Sequence, residues 1–187
     1  MQRGRLMFTA ISTAKAFVSA DHGWNISLPY GWKALPKVPF EIASALSDVE
    51  VFAHPHDPSL SMTWMRSCNR LSDHVWQRFL HMTNTIGGIP PAEVQELMTQ
   101  LFPLMGRTAS AFAVSLPDGQ RALELTEEIT SIGCSNESMR GYHLVLPVSN
   151  DKASPVYMQQ LVFYARASKF AQEIVQIIQS ARSFKHI

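Results

Sequence analysis

The chain has 187 residues, 46% of them apolar and 17% charged, a balance that suits a globular protein with a sizeable core and argues against disorder. Its formal charge is +1 and its basic residues form no run, so bulk charge recruits neither nucleic acid nor an anionic membrane. No apolar run approaches the roughly 20 residues of a transmembrane helix. Cys68 and Cys134 make neither a disulfide framework nor a CxxC pair. Two unpaired thiols are the simpler reading, and a single bridge in an exported protein is the other.

Arg3 and Arg5 precede a short apolar stretch, and Val18-Ser19-Ala20 would suit a signal-peptidase site, but Lys15 interrupts what should be an uncharged segment. The same residues read equally as a β-hairpin: Phe17 to Ser19, a turn at Asp21-His22-Gly23, then Trp24 to Leu28 in apolar–polar alternation. Cleavage after Ala20 would destroy that hairpin. Residues 1–16 are read as an N-terminal targeting or disordered segment, and residues 17–187 as a single domain. A cytoplasmic location is expected, with export the alternative if residues 1–20 are a signal peptide.

The first strand ends at a Pro29-Tyr30-Gly31-Trp32 turn. A second hairpin sets Val49, Val51 and Ala53 against Leu60, Met62 and Trp64 across a His54-Pro55-His56-Asp57-Pro58 loop. A helical hairpin is expected between residues 72 and 105. Ser72 would cap its first helix, with Leu71 and Trp76 as a hydrophobic staple and a stripe of Val75, Phe79, Met82 and Ile86 stopping at Gly87-Gly88. Pro91 would open the second, with Val94, Leu97, Met98 and Leu101 on one face. A meander follows through a Pro117-Asp118-Gly119 turn. The chain closes on a strand from Tyr157 that is apolar on both faces, hence central, and on a helix capped by Ser168 with Phe170, Ile174, Ile177, Ile178 and Ala181 on one face. The fold class is α+β: an antiparallel sheet of about six to eight strands flanked by helices.

Three features resemble the PsbP-like fold group, which takes in the extrinsic PsbP proteins of photosystem II, a Ran-binding nuclear import factor and bacterial DcrB-like proteins. They are the Leu28-Pro29-x-Gly31-Trp32 corner, the Leu116 to Gln120 hairpin before a long strand, and the terminal aromatic strand with an amphipathic helix ending in Ser183-Phe184. The resemblance spans residues 17–184. It implies an α/β/α sandwich whose relatives bind partners more than they catalyse.

Among candidate sites, His54, His56 and Asp57 come first. In an extended loop both imidazoles could face one zinc, copper or nickel ion with Asp57 nearby, although zinc wants a third or fourth ligand that the sequence does not name. A proline-rich turn with two exposed histidines is the preferred reading. Trp32 and Trp64, near strand ends, could anchor a partner, core packing being the default. His74 and His81 read as surface residues. Glu124 and Glu128 read as a solvated sheet face with Glu127 a misfit. Nucleophile-elbow, P-loop and dinucleotide motifs are missing, and no cofactor is expected. The expected function is a non-enzymatic domain that binds another protein as an accessory, assembly or chaperone-like factor. The alternative is a metal-dependent module at the His54–Asp57 loop.

Overall fold

A computed structural model describes residues 15–36, 49–67, 71–102, 106–130, 138–148 and 157–187. Cys68, Met105 and Cys134, together with most of the N-terminal segment, lie outside these residues. The expected first hairpin forms from β1 (Lys15–Ser19) and β2 (Trp24–Leu28), paired from Ser19↔Trp24 to Lys15↔Leu28. Its turn closes on Gly23, whose φ of +68° is a left-handed value that glycine adopts without steric cost. The short β3 (Lys33–Ala34) and the hairpin of β4 (Val49–Ala53) and β5 (Ser61–Arg66) come next. Helices α1 (Asp73–Thr83) and α2 (Pro91–Leu101) form the helical hairpin. Then come β6 (Arg107–Ser115), β7 (Arg121–Ile129), β8 (Met139–Pro147) and β9 (Met158–Arg166), helix α3 (Ala167–Arg182) and a two-residue β10 (Lys185–His186).

Seven strands make one antiparallel sheet in the order β3-β4-β5-β9-β8-β7-β6, and β1-β2-β10 make a second. The last long strand inserts between β5 and β8, the central place that its two apolar faces require. One side of the large sheet meets α3 and the small sheet around Trp24, Trp32, Phe52, Trp64, Phe163 and Phe184. The other side meets α1 and α2 around Trp76, Phe79, Leu97, Met98, Leu123 and Val145. The architecture is an α/β/α sandwich, with the small sheet sharing a layer with α3.

Local signals explain most boundaries. The Ser72 hydroxyl accepts from the Val75 amide at the start of α1, and Leu71 packs on the second core as the staple requires. Pro91 opens α2 at a position with no hydrogen bond to lose. Ser168 is not the cap of α3, however. The helix starts two residues earlier than a Ser168 cap would set it, its cap residue Arg166 makes no side-chain cap bond, and the Ala167 amide donates to the Ser138 carbonyl of the β8 entry (2.9 Å). A strand running straight into a helix leaves its first amide beside the neighbouring strand, so the sheet replaces the hydroxyl. Ile86 also departs from expectation: α1 ends at Thr83, and Ile86 stands 98% exposed in the connection.

That connection seals the sheet. Ile89 N–H donates to the Ala111 carbonyl (3.0 Å) and Gly88 bridges Phe112, so the α1–α2 link lies along the outer edge of β6. Farther along, the Gln95 side chain of α2 accepts from Thr108 N–H (2.6 Å) and donates to the Gly106 carbonyl (3.3 Å). The C-terminal end is fastened too. His186 N–H donates to Asp118 Oδ2 (3.0 Å), Ile187 N–H to the Gly23 carbonyl (3.0 Å), and Ser27 N–H to Ser183 Oγ (2.7 Å).

Helix α3 gives a direct test of the layering. Ile177 is fully buried in the first core, whereas Val175 is 64% exposed on the same helix. Ile177→Ala is expected to cost about 2–5 kcal/mol in urea unfolding, and Val175→Ala to stay within about 0.5 kcal/mol.

Candidate functional site: the loop platform and the buried polar cluster

Two stretches far apart in sequence meet at one end of the sandwich. Gly31 has a φ of +79°, and a Cβ built there would stand 2.9 Å from Pro55 Cγ, so the corner lies directly against the His54–Pro58 loop. Trp32 turns inward from the corner, 3% exposed, with its ring edge-on to His54 (5.4 Å between centroids) and to Phe163 (6.3 Å). Phe163 stacks on Phe170 of α3 (5.8 Å), which ties loop, sheet and helix into one packing unit. Tyr30, beside Gly31, is 72% exposed, and Pro55, His56 and Pro58 of the loop that meets Gly31 are exposed as well.

The loop holds its own shape. His54 Nδ1 accepts the backbone N–H groups of His56 (3.1 Å) and Asp57 (2.9 Å). Asp57 Oδ1 accepts the amide (3.0 Å) and hydroxyl (2.5 Å) of Ser59, and its other oxygen lies 3.4 Å from Lys169 Nζ. Those Ser59 contacts, aided by Lys169, hold the Asp57 carboxyl below its ordinary value. With Nδ1 accepting, the proton of a neutral His54 ring sits on Nε2, which points toward Glu173 Oε1 at 3.8 Å. In this arrangement neither ring nitrogen of His54 offers a lone pair to a cation. Among the described residues, no three of His, Cys, Asp and Glu gather in a way that could hold a metal ion.

The two tryptophans marked for a partner are placed inside. Trp32 backs the platform, and Trp64, 1% exposed, donates from its indole N–H to Gln159 Oε1 at 2.9 Å. Met82 and Met98 are likewise core residues. His74 and His81 are exposed on α1, as expected of surface residues, beside a cleft also lined by Arg78 and Glu93.

A second concentration of polar chemistry lies inside the sheet. Glu127, a misfit by alternation, is fully buried, with Oε2 2.9 Å from His143 Nε2 and accepting the Tyr164 hydroxyl at 3.0 Å. His143 Nδ1 faces Gln160 Oε1 (3.1 Å), and Glu127 Oε1 accepts the Gly106 amide. Two glycines make room. At Gly141 a Cβ would be 2.5 Å from the Tyr164 ring, which crosses β8 there to reach Glu127; at Gly106 it would be 2.2 Å from the Glu128 carbonyl. Burial pushes the Glu127 carboxyl up, but its bonds to His143, Tyr164 and Gly106 outweigh that and hold it below its ordinary value. Burial and the Glu127 charge push the Tyr164 phenol far up, which keeps it a donor.

The solvated face expected for Glu124 and Glu128 holds for only one of them. Glu128 is exposed near Arg107 and Arg140, but Glu124 is 7% exposed and takes a two-pronged bond from Arg182 of α3 (2.8 and 3.0 Å). Arg182 of α3, a helix that packs on β8 and β9, reaches over to supply the countercharge, which alternation within one strand could not reveal. His143 and Tyr164 went unmarked for a similar reason. Their signal was weak but present: Glu127, His143 and Gln160 interrupt apolar runs in three strands that prove to be neighbours.

No protein-family model matches the chain, and no curated protein matches it either. Solved structures do. The solution structure of cyanobacterial PsbP (CyanoP) from Synechocystis sp. PCC 6803 is 13% identical, covering 100% of this chain and 98% of its own at a TM-score of 0.54. A crystal structure of a protein from Bacteroides thetaiotaomicron is 11% identical, covering 94% of this chain and 49% of its own at a TM-score of 0.50. At such identities the likeness is one of fold. That fold is PsbP-like.

The buried cluster makes three predictions. Glu127→Ala leaves the buried His143 ring, the Tyr164 hydroxyl and the Gly106 amide without their shared partner and should cost about 3–5 kcal/mol in denaturant unfolding, and Gly141→Ala should break the Tyr164–Glu127 bond by displacing the ring. Because the folded Glu127 carboxyl sits below its ordinary 4.5, its contribution is fully present above that pH and is lost as pH falls through the lower folded value. The acid limb of stability below about pH 4.5 should therefore be flatter in Glu127→Gln than in the parent protein.

Proposed function

We propose that this protein is a non-enzymatic binding domain, an accessory or assembly factor, and that it meets its protein partner through the platform of Tyr30, Pro55 and His56. One observation carries the reading. A large aromatic side chain stands out at 72% exposure on a corner whose neighbours are fixed by packing, by a glycine that admits no side chain and by a self-bonded loop. Such a group loses little conformational freedom on binding, which is what makes tyrosine an effective anchor. The ionisable groups most suited to catalysis are engaged elsewhere. Glu127 and His143 are fully buried against each other, Glu124 is held by Arg182, and Asp57 is held by Ser59 and Lys169. Members of this fold that bind partners agree with the reading by analogy of fold only.

A photo-crosslinking residue in place of Tyr30 tests it in native lysate, with the same residue at Val175 as an exposed control on α3. The expected result is one dominant adduct from position 30 and none from position 175. Equal or diffuse labelling from both positions would sink the proposal. Once the partner is in hand, Tyr30→Ala should weaken binding by about 2 kcal/mol or more while changing stability by less than about 0.5 kcal/mol.

A further inference from the structure

We propose that two copies of this chain associate through β1, each adding its first strand antiparallel to the other's across a two-fold axis at Phe17. The inference goes beyond the platform reading and does not depend on it. An open strand border carries it. Ser27 N–H donates to Ser183 Oγ (2.7 Å) and β10 pairs with Asn25, so Asn25 and Ser27 of β2 turn their backbone groups away from β1. Their partners across the hairpin, Val18 and Ala16, must then turn theirs away from β2, because bonded and non-bonded pairs alternate along an antiparallel ladder. β1 ends the small sheet, and no strand lies beyond it among the described residues. Ala16 is exposed and Val18 is 56% exposed. Strand borders are ordinarily protected by proline, a bulge or a charge, and Ala16-Phe17-Val18 carries none of these.

What the strand meets on pairing with itself identifies the occupant as a second copy. Centred on Phe17, the pairing sets Ala16 against Val18 of the second copy and Val18 against its Ala16. The outward N–H and C=O groups of each copy then meet their complements. Phe17, which already packs on Phe52 (5.0 Å between centroids), falls opposite its own copy at the axis. That position is non-hydrogen-bonded, where side chains approach most closely and aromatic pairs gain most. Lys15 falls opposite Ser19 of the second copy, on the same face of the sheet. The Ser19 hydroxyl donates to Glu50 Oε1 at 2.5 Å, so a carboxylate stands at that end of the strand. The exposed Lys15 at one end therefore meets Glu50 of the other copy, and the symmetry repeats the contact. The two small sheets become one continuous sheet. A five-residue border is short beside the area that a permanent dimer buries, so the association is reversible and depends on concentration.

Sedimentation of the full chain over a concentration series should show a monomer–dimer equilibrium. Lys15→Glu should weaken it about tenfold, because it sets like charges together twice across the axis. Val18→Pro should abolish it by removing an outward N–H, a change that border strands tolerate. Near-UV circular dichroism establishes that each variant is folded. Oxidative cross-linking reads the register. In a Cys68→Ser, Cys134→Ser background, Phe17→Cys should link to its own copy. Val18→Cys should not, although Val18 is the more exposed residue, because its Cα atoms would stand beyond the roughly 7 Å that a disulfide spans. A chain that stays monomeric at every concentration overturns the proposal, whatever else fills the border. So does a dimer that survives both Lys15→Glu and Val18→Pro, or one that links through position 18 as readily as through position 17. None of these variants touches Tyr30, so the platform reading stands or falls separately.

Discussion

Everything in this molecule is arranged to cover both faces of strand β9. It carries Leu161 and Phe163 toward one core and Met158 and Val162 toward the other, and it lies between β5 and β8 near the middle of the seven-stranded sheet. A strand so placed cannot be left to solvent on either side. On one side α3, which follows without a break, returns over the sheet together with the small β1-β2-β10 sheet. On the other, α1 and α2 are inserted between β5 and β6. The chain order of strands, helices, strands and helix is the shortest way to assemble two covering layers around a strand that arrives late.

Much of this was legible because the signals were local. Glycine at a left-handed turn, proline at the first turn of a helix, a serine cap and two-residue alternation each act over a few neighbours, so the hairpins, α1, α2 and the central place of β9 could be read directly. The failures lie where a distant element supplies what the local chain lacks. Ser168 was unnecessary as a cap because Ser138 was present, and Glu124 was not solvated because Arg182 covers it. Trp64 lies in the core, its default reading, but the partner of its indole N–H is Gln159, a residue 95 positions away that the local chain could not name. The two loops of the platform were each noticed, but nothing in either one announced that Gly31 would lie under Pro55.

The polar groups divide into two kinds of work. Inside the sheet, Glu127, His143, Gln160 and Tyr164 cross-link three neighbouring strands. Because a one-residue slip would strand a buried charge, they pin the register of strands whose apolar runs alone would tolerate sliding. At the platform the bonds are weaker individually and close to solvent, and they shape a loop that no apolar layer holds from above.

The α1–α2 hairpin has one more role, visible in the bonds it makes rather than the core it covers. Strand β6 is nine residues long and stands at the border of the large sheet. Its outward backbone groups are met by Ile89, Gly88 and Gln95, all from the helical insertion. An uncovered border of that length is a template on which another molecule's strand can grow. The insertion therefore shields that edge, and a form lacking it would leave β6 open to edge-to-edge pairing with another molecule's strand.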